Sequence, residues 1–512
     1  MSGITERVLR RVGVVGAGAM GRGIAQIAAQ GGYDVTVFDS KAGAADAAVA
    51  FAISMIRRQA EKGAIAADAA QAACDRLKPA ASLGDLAGSD LVIEAIIELL
   101  DAKQSLFREL ETVLREDCIL ATNTSSLSVT RIAAGCARPQ RFAGLHFFNP
   151  VPMMKVVEVI GGLRTDPAVL QHLDTFAKAV GHRGVRASDT PGFLVNHAGR
   201  GLYTEGLRII QEGVASAAEI DLILRESLGF RMGPFELLDL TGLDVSFQVM
   251  EQIYRQYYEE PRFRPSPLPA QRVAAGLYGR KSGEGFYRYD GEKRAAVPQT
   301  DYRDVMLQNT VWFGALPDAE RTAMAKVLTV GGAILDTGPL PTSDSLCLIA
   351  PLGEDATTAA LNLRLDPERC IAIDLLGGAD RRLTLMAPPV LAAERIQAIA
   401  GAIQRGGGAA SIIADSTGFV AQRVICTIIN IASDIAQQQI AVPADIDDAV
   451  RIGLGYPYGP LDWGDRIGPT RVVQVLSAIH ALTGDPRYRA SPWLRRRAQL
   501  GLSLRHMDVA RP

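Results

Sequence analysis

Cysteine is scarce and scattered in this chain. Its six cysteines, Cys74, Cys118, Cys136, Cys347, Cys370 and Cys426, stand far apart, and none belongs to a Cys-x-x-Cys pair. That spacing argues against a zinc site or a redox dithiol and suits a reducing compartment. A charge bias is also missing. With 54 basic against 56 acidic side chains there is no electrostatic footprint for nucleic acid or an anionic membrane. No uncharged apolar run reaches the roughly 18 residues that a spanning helix needs. The first residues carry arginines but lack the apolar core of a signal peptide. The expectation is a soluble cytoplasmic protein without a metal centre. At 512 residues, with 48% hydrophobic and 21% charged side chains, the chain reads as ordinary globular protein. It is too long for one core, so about two to four domains are expected.

The chemistry concentrates in Gly144–Glu158, Gly-Leu-His-Phe-Phe-Asn-Pro-Val-Pro-Met-Met-Lys-Val-Val-Glu. It reads as two short buried strands joined by the Asn149-Pro150-Val151-Pro152 turn, pivoting near residue 152. That pivot sets His146 opposite Glu158, within reach of a cross-strand hydrogen bond. A carboxylate that holds an imidazole in one tautomer makes a general base. The pair alone does not separate that role from mutual structural satisfaction of two buried polar groups.

Upstream, the strand Val12–Val15 runs into Gly16-Ala17-Gly18-Ala19-Met20-Gly21 and an alanine-rich helical run. In this context Gly16 permits a tight turn, Gly18 lets the backbone approach a pyrophosphate, and Gly21 allows close helix–strand packing. The helix N-terminus, with Ala19 and Met20, offers free N–H groups and a favourable dipole for phosphates. A second strand, 34–38, ends in Asp39, whose carboxylate would accept ribose hydroxyls and repel a 2′-phosphate, favouring NAD over NADP. A helical pattern is expected from Phe51 to Lys78, broken at Lys62-Gly63. The strand 91–95 follows, with Glu98 and Lys103 beyond its carboxyl end as candidate cofactor contacts. The strand 118–122 ends in Asn123-Thr124-Ser125-Ser126, whose hydroxyls either cap a helix 127–134 or face the crevice.

These motifs resemble the L-3-hydroxyacyl-CoA dehydrogenase family over residues 11 to about 290. The resemblance rests on GAGAMG, EAIIE (94–98), TNTSSL (122–127), GLHFFNPVPMMKVVEV (144–159), TPGFLVN (190–196) and GRKSGEGFY (279–287). It implies His146 as catalytic base, Glu158 as its orienting carboxylate, and Ser125 and Asn196 on the substrate oxygen or acyl thioester. It further implies that Glu98, Lys103, Ser125, Asn149 and Lys281 line the NAD site, and that Ser54 and Lys62 fall near the positions that hold CoA. After Asn196 the family has arginine where this chain has His197, for which a structural consequence at most is expected.

The last third repeats the helical part. Asp415-Ser416-Thr417-Gly418-Phe419-Val420 matches Asp189-Thr190-Pro191-Gly192-Phe193-Leu194 at an offset of 226. Asp447, Gly455 and Gly459-Pro460 answer Asp221, Gly229 and Gly233-Pro234 at the same spacing. The copy extends backwards in degraded form: Asp374 falls where His146 would be, Thr384 where Glu158 would be, and Gln422 replaces Asn196. No glycine loop precedes it and no counterpart of 281–287 follows it, so one active site per chain is expected. Residues 295–340 are the least legible.

The expected architecture is an α/β Rossmann-type dinucleotide-binding domain (1–189) followed by an all-α domain (190–292). A linker with a degenerate α/β remnant (293–414) and a second helical domain (415–512) complete it. The layout resembles bacterial members of the family from phenylacetate catabolism. The expected activity is NAD-dependent oxidation of an (S)-3-hydroxyacyl-CoA, with an acyl-CoA as partner and a homo-oligomer, dimer or trimer, as assembly. The alternatives are a dehydrogenase of free 3-hydroxyacids and a non-catalytic NAD-binding protein. A CoA thioester tested beside the free acid separates them.

Overall fold

A computed structural model describes residues 8–508 except 292, 314, 315 and 317. The chain forms two compact units, one of residues up to His197 together with Gln438–Leu454, the other of Ala198–Gln437 and Gly455 onward.

In the first unit an eight-stranded sheet runs in the order β3-β2-β1-β4-β5-β6-β7-β8. The strands are β1 (Arg11–Val15), β2 (Asp34–Phe38), β3 (Leu77–Pro79), β4 (Leu91–Glu94), β5 (Ile119–Thr122), β6 (Phe142–Phe147), β7 (Val156–Gly161) and β8 (Arg183–Ser188). All neighbours are parallel except β6 and β7. β4, β5 and β6 are buried along their whole length, which is why they read as near-continuous apolar runs. Val12, Val14, Ile24, Ile93, Leu145, Val157 and Phe176 share one core between sheet and helices. The order reverses between β1 and β4, the crevice where such sheets bind dinucleotides.

Some expected boundaries move. The helix expected from Phe51 begins earlier, as Ala44–Glu61, and a second helix, Ala67–Asp75, is followed by β3 rather than by more helix. The helix expected over 127–134 is Val129–Ala133, capped by Ser128 instead of the preceding hydroxyls. The chain after Leu194 forms two helices, Val195–Ala198 and Arg200–Gln211, with a break between them. Two glycines in His-Ala-Gly-Arg-Gly, each a poor helix former, account for the break.

The second unit holds the other helices, a two-stranded ribbon of β9 (Tyr289–Asp290) and β10 (Lys293–Arg294), and a second sheet. That sheet comprises β11 (Val311–Phe313), β12 (Leu335–Asp336), β13 (Leu346–Ile349), β14 (Cys370–Asp374), β15 (Leu383–Met386) and β16 (Ala410–Ile412), in the order β12-β11-β13-β14-β15-β16. Its single antiparallel pair, β14 with β15, repeats the β6–β7 hairpin and sets Asp374 opposite Thr384. The poorly legible 295–340 segment thus supplies β11, β12 and the helix Asp318–Val330. The duplicated scaffold also keeps a specific polar support. Asp189 accepts the backbone N–H groups of Val129 and Thr130, and Asp415 accepts those of Ala356 and Thr357 at the equivalent helix start. The helix Pro443–Gly453, the copy of Ala217–Leu228, belongs instead to the first unit. There Arg183 pairs with Asp445 at 2.6 Å and Asp448 at 3.0 Å.

In the second unit the helices Arg200–Gln211 and Val420–Gln437 pack closely at Gly201, where a Cβ would meet Ile428 backbone atoms at 3.2 Å. Gly201→Val should force the pair apart and lower unfolding free energy by about 1–3 kcal/mol in urea titration, as overpacking does.

Candidate active site

The β6–β7 register pairs His146 with Glu158, and His146 Nδ1 stands 2.5 Å from Glu158 Oε2. Glu158 is fully buried, and its other oxygen accepts the backbone N–H groups of Leu194 at 2.8 Å and Val195 at 2.7 Å. With four lone-pair sites facing three hydrogen-bond partners, the carboxylate acts only as an acceptor, so His146 Nδ1 carries its proton and Nε2 is left as the acceptor nitrogen. The rings of Phe148 and Phe193 flank the imidazole, with centroids 4.4 and 5.9 Å away. The peptide N–H groups of Leu194 and Val195 carry no signal in a sequence. Asn196 follows them directly, at the end of the same unit. His197, where the family has arginine, is buried.

A second polar knot closes the β4–β5 edge. Glu94 and Lys103 are buried side by side, with Lys103 Nζ 2.5 Å from Glu94 Oε1 and 3.3 Å from Glu98 Oε2. Thr122 Oγ1 donates to Glu94 Oε2 at 2.6 Å. Glu98 Oε1 accepts Thr124 Oγ1 at 2.6 Å, Ser125 N at 2.8 Å and Ser126 N at 3.0 Å. Ser125 Oγ lies 3.4 Å from the same oxygen. Burial alone would raise the Glu98 pKa, but the Lys103 charge and these donors outweigh it and lower it. Lys103 therefore holds two carboxylates that fix the Ser125 loop. Glu94, the hub of that arrangement, was missed as a site residue because it reads simply as the last residue of an apolar strand.

The glycine loop fits a dinucleotide. Gly16 adopts φ +105°, and a Cβ there would lie 2.4 Å from Ala95 O. At Gly21 a Cβ would overlap Gly16 O, whereas Gly18 faces open space. Ala19 and Met20 open the helix Ala19–Gln30, whose N-terminus has no side-chain cap and so leaves its N–H groups for phosphate. Asp39, at the end of β2, accepts Ala17 N at 2.7 Å and Lys41 N at 2.9 Å, which ties the loop to the strand.

Beside this loop lies a cavity of about 500 Å³ lined by Arg22, Phe51, Arg58, Lys62, Asn149 and Met153, among others. Arg22 stacks over Phe51 at 4.0 Å. Lys62 and Asn149, singled out in the sequence, thus share a wall, while Ser54 is exposed and donates to Phe51 O of its own helix. Arg22 and Arg58 were missed; the four-residue spacing of Arg58 and Lys62 at the end of one helix was the available signal. Lys281 lies in the second unit, paired with Asp244 at 2.6 Å. Among the described residues no cluster of histidine, cysteine, aspartate or glutamate has a metal-binding arrangement.

In the second copy the corresponding position carries different chemistry. Gln422 Nε2 donates to Asp374 Oδ1 and to Pro351 O, both at 3.1 Å, and Gln422 Oε1 accepts Gly353 N at 2.9 Å. Burial pushes the Asp374 carboxyl up to about 6, against the hydrogen bonds from Leu376 and Gln422. The amide stands at the sequence position that answers to Asn196 in the first copy and lines a cavity of about 450 Å³.

A Rossmann sheet with an uncapped glycine loop and a carboxylate-held imidazole defines a dinucleotide-dependent oxidoreductase. Residues 11–190 match the 3-hydroxyacyl-CoA dehydrogenase NAD binding domain, and residues 192–289 and 418–506 each match the C-terminal domain of the same family. The chain is 36% identical to the 3-hydroxyadipyl-CoA dehydrogenase of Escherichia coli K12, across 96% of this chain and 98% of that protein. It is 39% identical to the 3-hydroxybutyryl-CoA dehydrogenase of Bradyrhizobium diazoefficiens, which matches 56% of this chain and is itself covered to 97%. A crystal structure of 3-hydroxybutyryl-CoA dehydrogenase from Escherichia coli K12 superposes with a TM-score of 0.84 at 35% identity, covering 96% of this chain and 99% of that one. The chain belongs to the 3-hydroxyacyl-CoA dehydrogenase family, NAD-dependent oxidoreductases of acyl-CoA substrates.

Lys103→Met leaves Glu94 buried without its cation and should cost about 3–5 kcal/mol of stability in denaturant titration. Because the Glu98 pKa is lowered in the fold, its stabilisation is complete above the ordinary carboxylate range and is lost as pH falls through the lowered value. In the variant, which lacks the Lys103 charge, that acid-side loss should be smaller and should end at higher pH. Asp374 has the opposite sign. Its raised pKa means that stability declines as pH climbs from about 4 to about 6 and stays low above. Asp374→Asn should therefore be more stable than the parent at pH 8, by about 1–3 kcal/mol, and the two should converge near pH 4.

Proposed function

We propose that His146 is the general base in oxidation of an (S)-3-hydroxyacyl-CoA to the 3-oxoacyl-CoA, with Glu158 as its positioning carboxylate. The observation that carries this is the 2.5 Å contact between His146 Nδ1 and a buried Glu158 whose other oxygen is already held by two backbone N–H groups. Neutral His146 takes the substrate hydroxyl proton at Nε2, and the imidazolium so formed is stabilised by Glu158 across Nδ1–H. NAD, when bound, supplies the hydride acceptor. The free N–H groups after Gly18 receive its pyrophosphate, and Asp39 faces the adenosine ribose. Glu98 keeps the Ser125 loop in place, with Lys103 acting through Glu98. Ser125 and Asn196 bind the substrate oxygen or the thioester, and Asn149 and Lys281 complete the cofactor contacts. The cationic cavity of Arg22, Arg58 and Lys62 suits the phosphates of CoA and distinguishes a thioester from a free acid. Ser54, exposed on the neighbouring helix, would contribute at its edge.

The name of the Escherichia coli relative favours a dicarboxylic acyl chain, in phenylacetate or fatty-acid breakdown, as the physiological substrate. No helix among the described residues is long and apolar enough to cross a membrane, in line with a cytoplasmic location. The four-part domain division read from the sequence and a homo-oligomeric assembly complete the proposal. His146→Gln should reduce turnover of acetoacetyl-CoA with NADH by at least the roughly 10²–10⁴-fold of general-base catalysis, with NADH binding, read by fluorescence, preserved. Turnover near the parental rate would refute the assignment.

A further inference from the structure

The Asn149–Met153 segment links β6 to β7, and all five of its residues line the cavity that carries Arg22, Arg58 and Lys62. Val151, 1% exposed, packs onto the helix Ala19–Gln30, where a Cβ at Gly23 would lie 2.9 Å from Val151 Cβ. The Val151 carbonyl meets His182 Nε2 at 2.9 Å, a contact across 31 residues of chain. The position of Val151 therefore sets the shape of one cavity wall. Every residue of this arrangement lies in the first unit.

The His182 ring is itself firmly held. It is 5% exposed, its backbone N–H donates to Ala177 O at 2.9 Å, and Phe147 packs on it edge-to-face with centroids 5.5 Å apart. Nδ1 lies 3.0 Å from Val180 O, so two carbonyls face two ring nitrogens. Burial, aided by the Lys155 charge, holds the His182 pKa below the ordinary histidine value against the carbonyls of Val151, Val180 and Met154. The ring is therefore neutral at neutral pH, carries one N–H, and can satisfy only one of the two carbonyls. A proton on Nε2 ties the cavity wall to the start of β8. A proton on Nδ1 would close only a local turn at the helix end and set a lone pair against Val151 O.

The repeat separates what the hairpin needs from what the cavity needs. At the 226 offset His182 answers to Gly408 and Val151 to Gly377. The second copy pairs β14 with β15 and lays β16 beside them with no imidazole at that position. The scaffold thus forms without the ring, and the ring occurs in the copy whose hairpin turn walls the cationic cavity.

We propose that His182 is a positioning residue for the acyl-CoA substrate, its Nε2–H holding the Val151 carbonyl and so fixing the Asn149–Met153 wall against the nucleotide end of the thioester. The proposal rests on the reading of the Arg22, Arg58 and Lys62 cavity as the CoA site.

Two amides separate the ring nitrogens, since a glutamine Nε2 takes the place of histidine Nε2 and an asparagine Nδ2 that of Nδ1. The test measures kcat/KM of the full chain, with NADH, for acetoacetyl-CoA and for the acetoacetyl thioester of N-acetylcysteamine, which lacks the nucleotide. In His182→Asn the CoA-to-cysteamine ratio should fall about tenfold, through a higher KM for acetoacetyl-CoA, with kcat and the cysteamine thioester little changed. His182→Gln, which keeps the donor to Val151, should hold the ratio within about threefold of the parent. A purely structural role at the helix end would give the reverse, rescue by asparagine. An unmoved ratio in His182→Asn, equal losses on both thioesters, or the same fall in His182→Gln would overturn the proposal. If His182→Asn does not fold, His182→Phe, which has neither ring N–H and keeps an aromatic against Phe147, supplies the ratio. A parent that turns over neither thioester removes the acyl-CoA reading and the proposal with it. A parent that favours acetoacetyl-CoA, with the ratio unmoved in the variants, removes only the role of His182.

Discussion

The site depends on how Glu158 is buried. A carboxylate taken fully out of water is tolerated only if its lone pairs are occupied, and here one oxygen meets His146 while the other accepts two consecutive peptide N–H groups. Those peptides belong to Leu194 and Val195, just before Asn196. A single anion thus couples the hairpin that carries His146 to the segment that carries Asn196. The His146 tautomer follows from the same arrangement, because a buried acceptor at Nδ1 leaves Nε2 as the unprotonated nitrogen.

The β4–β5 edge uses a similar device. Lys103, almost fully buried, joins Glu94 to Glu98, and Glu98 gathers Thr124, Ser125 and Ser126 onto one oxygen. A lysine that looks in sequence like a direct cofactor ligand is, in the fold, the support of a carboxylate that shapes a loop. Such networks are costly when incomplete and rigid when complete, which suits a loop whose hydroxyls must hold their positions.

Duplication sorted scaffold from chemistry. The Asp189 and Asp415 helix supports and the antiparallel strand pair persist in both halves. The His–Glu pair does not: Asp374 and Thr384 stand in its place, and Gln422, which answers to Asn196, bonds to Asp374, Pro351 and Gly353.

Much of this was legible in one dimension. The GxGxxG turn, the apolar parallel strands and the hairpin pivot depend on local spacing, and spacing alone determined that His146 faces Glu158 and that Asp374 faces Thr384. The repeat was equally plain, because identical residues recur at one offset. Helix boundaries around Ala44 and Gly199 were less so, since alanine-rich and glycine-interrupted runs carry weak periodicity. Contacts between distant segments were not legible at all. Only the tertiary structure decided that Leu194 and Val195 hold Glu158, that Arg22 and Arg58 join Lys62 around one cavity, and that the copied helix Pro443–Gly453 sits in the first unit. Hydrogen bonds from peptide groups, and partners more than 250 residues apart, leave no local pattern in a chain; they exist only once the hydrophobic cores have brought those segments together.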